Sequence, residues 1–427
     1  MQRRVFAPVV TAIVLVIVGA NLAVQLGRAG ADFLPRLNEQ KPALAESPPE
    51  LGRYQRPRLA RRVFLVILDG LRVRESIGLP YLDELRRLGI ESTAKAHYPT
   101  FSRPNYVAIV TGVPPVWSGV RSNAYDAPVL LDSLMDRTRA AGLRCGFVSN
   151  YSPGLPRMFT RPTTAGEHDA PDMPRYVSDF DDMHYVVWPG GFVNASRLLI
   201  GQGYPLVILH LGQVDAAGHE LGGDSPEYAE AARAVDRDLR LALRDVDLSR
   251  DAVVVVADHG HTDSGGHGGL EDEVVEVPLV MAGAGVRPAA AVVGAKLIDV
   301  APTVATLLGL PPPGHGLGRT LTEALAIDDG QRSAIARDDD LRVERNVLLT
   351  SAALERAERR IAGERIWRVP LVLGLFGLAA ISLLFVRRLG VIKLDWRVLA
   401  IALPAFPVTY YLTIGLVEQQ FSPSAIP

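Results

Sequence analysis

The sequence predicts an α/β fold, a mostly parallel sheet flanked by helices, with membrane-spanning helices at both ends of the chain. Three observations carry this. Residues 63–68 (VFLVIL), 204–212 (YPLVILHLG) and 252–257 (AVVVVA) are short, continuous apolar runs rich in β-branched residues, the pattern of strands buried on both faces of a parallel sheet. Stretches of helical periodicity lie between them, as in residues 80–88 (PYLDELRRL) and 227–243 (EYAEAARAVDRDLRLAL), so strand and helix alternate. Each run is followed within a few residues by a carboxylate, Asp69, Asp215 or Asp258, at the carboxyl edge where open α/β sheets bind ligands.

The 427 residues are 48% hydrophobic and 22% charged, enough for one large domain or two ordinary ones with extensions. With 45 basic and 47 acidic residues the formal charge is -2, so no basic field invites a nucleic-acid polymer. The single cysteine, Cys145, lies in an apolar run, which excludes an intramolecular disulfide and a thiolate metal site and reads as a buried inert thiol.

Taken in order, residues 1–27 read as an uncleaved transmembrane anchor, because the apolar part of residues 5–26 exceeds the ~7–15 residues of a signal-peptide core. Residues 28–61, rich in Pro, Glu and Arg, read as a tether, and residues 62–328 as the catalytic domain. Arg62 opens the first strand, residues 80–88 form a helix stopped at Gly89, and residues 105–111 form another. The hydroxyls of Ser102 and Thr100 compete for the start of that helix, where free backbone N–H groups and the dipole attract anions. Asn123 lies in a polar turn. Residues 129–141 read as helix, 143–149 as strand, and the proline- and aromatic-rich residues 150–201 as an insertion over the sheet edge, either a substrate cap or a solvent-facing elaboration. After the strand 204–212 and the crossover helix that starts at Pro226 come the strand 252–257, a strand at 277–282 and a helix at 295–310. Residues 329–368, Arg- and Glu-rich, read as a solvated helical stalk.

Residues 369–386 and 398–417 are each close to the ~17–25 residues a span requires, and residues 418–427 form a tail. Arg3 and Arg4 before the first span, and Arg387, Arg388, Lys393 and Arg397 between the last two, place both flanks in the cytoplasm by the positive-inside rule. Arg359, Arg360, Arg365 and Arg368 run against that rule on the outer side. The resulting three-span topology puts the catalytic domain on the extracytoplasmic face.

Three strand ends thus supply Asp69, Asp215 with His219, and Asp258 with His259, and a glycine-flanked loop adds His267. Random polar residues do not recur at the same end of successive buried strands. Two divalent ions roughly 3.5–4 Å apart could be held there to clamp an in-line displacement. Carboxylates and imidazoles without a thiolate suit zinc, with manganese as a substitute.

The segments Asp69-Gly70, Pro99-Thr100-Phe101-Ser102-Arg103-Pro104-Asn105, Asp215-Ala216-Ala217-Gly218-His219 and Asp258-His259-Gly260 with His267 resemble the alkaline phosphatase superfamily. The likeness is to the type I phosphodiesterase and nucleotide pyrophosphatase branch and also to the ethanolamine-phosphate transferases of glycolipid-anchor synthesis, and it runs in order from residue 62 to 321. It implies an alkaline-phosphatase-like sheet and two metals, one held by Asp69, Ser102, Asp258 and His259, the other by Asp215, His219 and His267. It places Ser102 as the nucleophile and Asn123 on a phosphoryl oxygen. His261 stands where Met is commoner in the motif and reads as a supporting or surface residue, and His315 as a loop residue.

The activity expected is that of a metal-dependent phosphodiesterase or pyrophosphatase working through a phosphoserine. The alternative is a phosphoethanolamine-type transferase that hands the group to a lipid or glycan. A sulfatase is disfavoured, since its Ser-x-Pro-x-Arg signature meets Tyr106 in place of Arg, and a non-catalytic binding module is disfavoured because no ligand position is lost. The partners expected are the bilayer and a phosphodiester-containing small molecule, lipid or glycan.

Overall fold

A computed structural model describes residues 42–125, 127–151, 154–163, 175–178, 182–185, 190–353, 355, 356 and 359. The strands β1 (Val63–Leu68), β7 (Leu206–Leu211) and β8 (Ala252–Val256) are buried along their whole length, as their unbroken apolar runs require. Together with β2 (Gly89–Lys95), β3 (Cys145–Ser149), β6 (Asp182–Tyr185), β9 (Glu276–Gly283) and the two-residue β10 (Ala295–Lys296) they form one sheet in the order β10-β2-β9-β8-β1-β7-β3-β6. β9 alone runs against its neighbours β8 and β2. The remaining pairs are parallel. The strands β4 (Thr160–Thr163) and β5 (Arg175–Ser178) form a separate hairpin-like pair.

Among the described residues up to 310 the longer helices are α1 (Pro80–Leu88), α2 (Ser102–Thr111), α3 (Leu134–Ala140), α4 (Gly191–Gly201), α5 (Gln213–Leu221), α6 (Pro226–Ala242) and α7 (Val300–Leu307). The start of α1 has no cap of its own; Asp236 of α6 accepts the N–H groups of Tyr81 and Leu82 at 3.0 and 2.9 Å, which satisfies two orphan donors and locks the helices together. The helix expected from residue 129 begins only at Leu134, where Ser133 and Asp136 close a reciprocal capping box. Residues 295–310 are not one helix: β10 and a 3-10 turn at Leu297–Asp299 come first, with Asp299 accepting Lys296 N–H at 2.9 Å and Arg319 N–H at 2.8 Å. β2, absent from the sequence reading, lies near the sheet edge beside the short β10, so it alternates buried and exposed residues (GIESTAK) and has no apolar run.

The described part of the segment read as a tether packs onto the domain. Leu44 and Ala60 are buried, and Arg56 donates to Thr306 Oγ1 at 2.5 Å, Thr320 Oγ1 at 2.8 Å and Asp339 Oδ1 at 2.7 Å. Residues 329–353 are helical, but the solvated reading fits one face alone: Ile335, Asp339, Arg342 and Asn346 are buried. Arg342 donates to the carbonyls of Gly316 and Gly318 at 2.6 and 2.7 Å, so ion pairing carries this polar helix into the core. His315, a loop residue as read, is also buried; its Nδ1 accepts Asp132 N–H at 2.9 Å and its Nε2 donates to Ser47 O at 2.8 Å. The expected spans 5–26, 369–386 and 398–417 lie outside the described residues, among which no helix is long and apolar enough to cross a membrane.

Candidate active site and metal centre

The strands β8, β1 and β7 are consecutive in the sheet, so the residues following them meet at one edge. Asp69 follows β1, Asp258 and His259 follow β8, and Asp215 and His219 share a face of α5 just after β7, four residues apart. Gly70 makes this convergence possible: it has φ +74°, and a Cβ there would lie 2.8 Å from Asp215 Cα. Gly218 likewise leaves room for the His261 ring, which a Cβ would approach to 2.6 Å.

Ser102 is the first residue of α2, after a loop carrying the cis Tyr98-Pro99 bond. Its Oγ lies 3.1 Å from His259 Nε2. His259 Nδ1 donates to Gly260 O at 3.1 Å, which leaves the Nε2 lone pair free on the side of Ser102 and the carboxylates. Thr100, the competing hydroxyl, is fully buried; it donates to Gly269 O at 2.8 Å, and its carbonyl accepts His267 Nδ1–H at 2.9 Å. Thr100 therefore pins the histidine loop, and Ser102 alone of the two faces the cluster.

One potential ligand atom from each of Asp215, His219, His261 and His267 lies within 4.8 Å of the others, as does one from each of Asp69, Asp215 and His259. Asp215 joins both groups. Asp258 adjoins the second, with Oδ2 3.3 Å from His259 Nε2 and Oδ1 accepting Gly70 N–H at 3.1 Å. His261 is not on the surface: it is fully buried with Nε2 2.9 Å from Asp215 Oδ1, and Arg72 holds its carbonyl at 2.5 Å.

The residues fit divalent cations on their own chemistry. Asp69 Oδ1 and Asp258 Oδ2 are buried without a hydrogen-bond partner, and among the described residues the ion pairs of Asp69, Asp215 and Asp258 are all with histidines. Burial, and then the charges of Asp69 and Asp215, push Asp258 well above the usual carboxylate range. Burial and the Asp69 charge raise Asp215 to about 6. Burial also works upward on Asp69, but the His210 hydrogen bond, with the charges of His259 and His210, outweighs it and brings Asp69 to about 2. The imidazoles of His219, His259, His261 and His267 are all shifted down, chiefly by burial, and neutral imidazole is the ligand form. His267 Nε2 and His219 Nε2 face each other at 3.1 Å, and His267 has spent its proton on Thr100, so a cation satisfies both lone pairs.

Every sequence-predicted ligand thus comes to one place, and Asn123 stands at its rim. Asn123 is exposed, and its Oδ1 accepts Arg103 N–H at 3.0 Å, which turns its amide Nδ2 into the available donor. The anion-binding helix end expected at α2 is correspondingly reduced, because Asn123 takes one N–H and Pro104 has none. Two buried residues escaped the sequence reading. Tyr106 donates from its hydroxyl to Asp69 Oδ2, and His210 donates from Nε2 to the same oxygen at 3.2 Å while its Nδ1 accepts the Ser149 hydroxyl at 2.8 Å. The available signal was a histidine inside an otherwise wholly apolar strand, VILHL.

Residues 191–312 match the Metalloenzyme superfamily. The catalytic subunit of the GPI ethanolamine phosphate transferase 2 of Homo sapiens is 28% identical over 286 residues, covering 62% of this chain and 28% of that protein. The 2,3-bisphosphoglycerate-independent phosphoglycerate mutase of Cereibacter sphaeroides is 36% identical over 132 residues, covering 29% of this chain and 25% of that protein. The chain spans about a quarter of the length of these curated relatives. Among solved structures, a variant of the alkaline phosphatase PafA has a TM-score of 0.50 at 12% identity, covering 63% of this chain and 99% of that one, a likeness of fold alone.

Proposed function

We propose that this chain, an alkaline-phosphatase-like member of the metalloenzyme superfamily, cleaves phosphodiesters through a covalent phosphoserine at Ser102. The observation that carries the reading is the Ser102 hydroxyl, 3.1 Å from His259, at the mouth of three buried carboxylates that no Arg or Lys among the described residues neutralises. Asp69, Asp258, His259 and Ser102 are assigned to one divalent ion and Asp215, His219 and His267 to the other. Zinc is the favoured metal because the set combines three imidazoles with three carboxylates and no thiolate. Divalent ions at these positions supply Lewis acidity, favouring the ionised serine and offsetting negative charge on the phosphoryl oxygens.

The chain's own groups do the rest. Ser102 Oγ forms the new bond to phosphorus as the bond to the leaving alcohol breaks on the opposite side, and the alcohol leaves with a proton. Tyr106 and His210 hold Asp69 Oδ2 so that Oδ1 faces the cluster. Asn123 Nδ2 is placed to donate to an equatorial phosphoryl oxygen. Residues 150–201, expected as an insertion over the sheet but supplying β6 to the main sheet and ending in α4, are assigned the leaving-group side.

A second reading concerns the acceptor. GPI ethanolamine phosphate transferases align with this chain over more than half its length, which favours transfer of the phosphoryl-bearing group to a lipid or glycan hydroxyl over hydrolysis. The expected three-span topology, with the catalytic domain extracytoplasmic, would tether the domain to the bilayer and suits a lipid-borne acceptor. Incubating purified protein with a labelled phospholipid donor separates the two. Labelled acceptor supports the transferase, water-soluble label alone supports the hydrolase, and no release of label with any phosphodiester contradicts both.

A further inference from the structure

We infer that His261 is a fourth protein ligand of the Asp215–His219–His267 ion, completing a one-carboxylate, three-imidazole set. The inference rests on the two-metal reading above and deepens it. In the sequence motif His261 stands where a thioether is usual and would not be counted a ligand, so the site would hold only three protein groups.

The geometry points the other way. His261 Nε2 is 2.9 Å from Asp215 Oδ1; the other measured separations in the set are 3.4 Å (His219 to Asp215), 3.7 Å (His267 to Asp215) and 3.1 Å (His267 to His219). Ligands at about 2.0–2.1 Å from a tetrahedral zinc stand about 3.3 Å apart, and these four values scatter around that spacing. All four ligand atoms lie within 4.8 Å of one another. The His261 ring meets the His219 and His267 rings at 90° and 77°, with centroids 5.0 and 5.1 Å away, and those two rings are tilted by 56° to each other, so no two of the three stack.

The ring has little freedom to leave. Its backbone carbonyl is tied to Arg72, whose NH1 also pairs with Asp263 at 2.8 Å, Tyr228 meets it edge-on at 6.0 Å, and Gly218 lies so close that a Cβ there would stand 2.6 Å from the ring. A competing role, Nε2–H donating to Asp215, would place an N–H where three other potential ligand atoms converge, and the buried Nδ1 lacks a partner in either role.

The chemical consequence is an asymmetric pair of ions. The Asp215 ion would then be held by four protein groups, none of them the reacting one, whereas the ion assigned to Asp69, Asp258, His259 and Ser102 would include the reacting group itself. Three imidazoles also select zinc over manganese or magnesium. The Asp215 ion is therefore the slowly exchanging, zinc-selective one.

Zinc X-ray absorption of the full-length protein tests this directly. With His261 as a ligand, four histidines are shared by two ions, an average of two imidazoles per zinc. As a mere hydrogen-bond donor it would leave three, one and a half per zinc, and that value overturns the inference. Chelator competition gives the independent readout. His261→Gln keeps an N–H for Asp215 but removes the imidazole, so one of the two zincs should weaken by ~100-fold or more, beyond the 10–100-fold typical of a supporting residue, while the other is unchanged. Unchanged affinity for both ions in folded H261Q overturns the inference and leaves the two-metal reading standing. A wild-type protein that binds no zinc overturns both.

Discussion

Ser102 and Thr100 are two residues apart and do different work, which no local pattern distinguishes. Both are hydroxyls before a helix; only the loop from residue 265 to 269, folded back from the far side of the sheet, decides that Thr100 is spent on Gly269 and His267. Tyr106 was unreadable for a similar reason. It lies one turn into α2 within a buried stretch, and its partner Asp69 is 37 positions away. Its role makes a prediction. Tyr106→Phe and His210→Ala each remove a donor from Asp69 Oδ2 and should weaken the adjacent ion by about 10–100-fold, as for other carboxylates and imidazoles that support ligands, with the fold intact. Competitive chelator titration together with circular dichroism measures both, and unchanged affinity in either folded variant would show that Asp69 needs no such support.

Elements were legible where burial is uniform. β1, β7 and β8 follow the sequence reading to within a residue or two at each end, because a strand covered on both faces admits only apolar side chains. β2 and the start of α3 were not, since an edge-side strand carries a mixed pattern and a capping box outweighs a weak helical period. The segment 42–61 and the helix 329–353 are the larger misreading. Their polar composition reads as solvated, yet Arg56 pairs in the interior with Asp339, 283 residues away, and Asp339 with Arg342 one helical turn on. Removing one partner of such a buried network exposes the others to desolvation, so Asp339→Ala should cost roughly 3–5 kcal/mol, measurable by urea unfolding.

The acid response follows from the same carboxylate. Burial raises Asp339, but the charges of Arg342 and Arg56 and the Thr320 hydrogen bonds outweigh it and hold its pKa below the ordinary value. A depressed folded-state pKa gives stability that is fully present above the unfolded value of about 3.9 and is lost as the pH falls through the folded one. Wild type should therefore lose stability more steeply below about pH 4 than Asp339→Asn, and the two should run parallel from pH 5 to 8. Parallel curves down to pH 2 would remove Asp339 from the acid response.

At the scale of the whole molecule, the sheet gathers groups spread from residue 69 to residue 267 at the carboxyl edge of three adjacent strands. That much was visible in sequence, because strand order need not be known to see that carboxylates follow successive buried strands. The partition of ligands came from the family resemblance and not from the strand pattern, since it depends on which ring of the 258–269 loop points to which carboxylate, and His261 was given to neither ion. The proposed topology predicts that a membrane-impermeant phosphodiester is turned over by intact cells as fast as by lysed ones. Activity that appears only on lysis would put the domain on the cytoplasmic side.

The central claim, a covalent phosphoserine at Ser102 formed beside two divalent ions, is tested most directly by rapid mixing of the metal-loaded protein with an activated aryl phosphodiester. A burst of aryl alcohol near one equivalent per chain is expected, with the retained mass on the peptide containing Ser102. Ser102→Ala should give no burst and lose about a thousand-fold or more in rate, with both metals still bound. Full turnover by Ser102→Ala without an adduct would contradict the account.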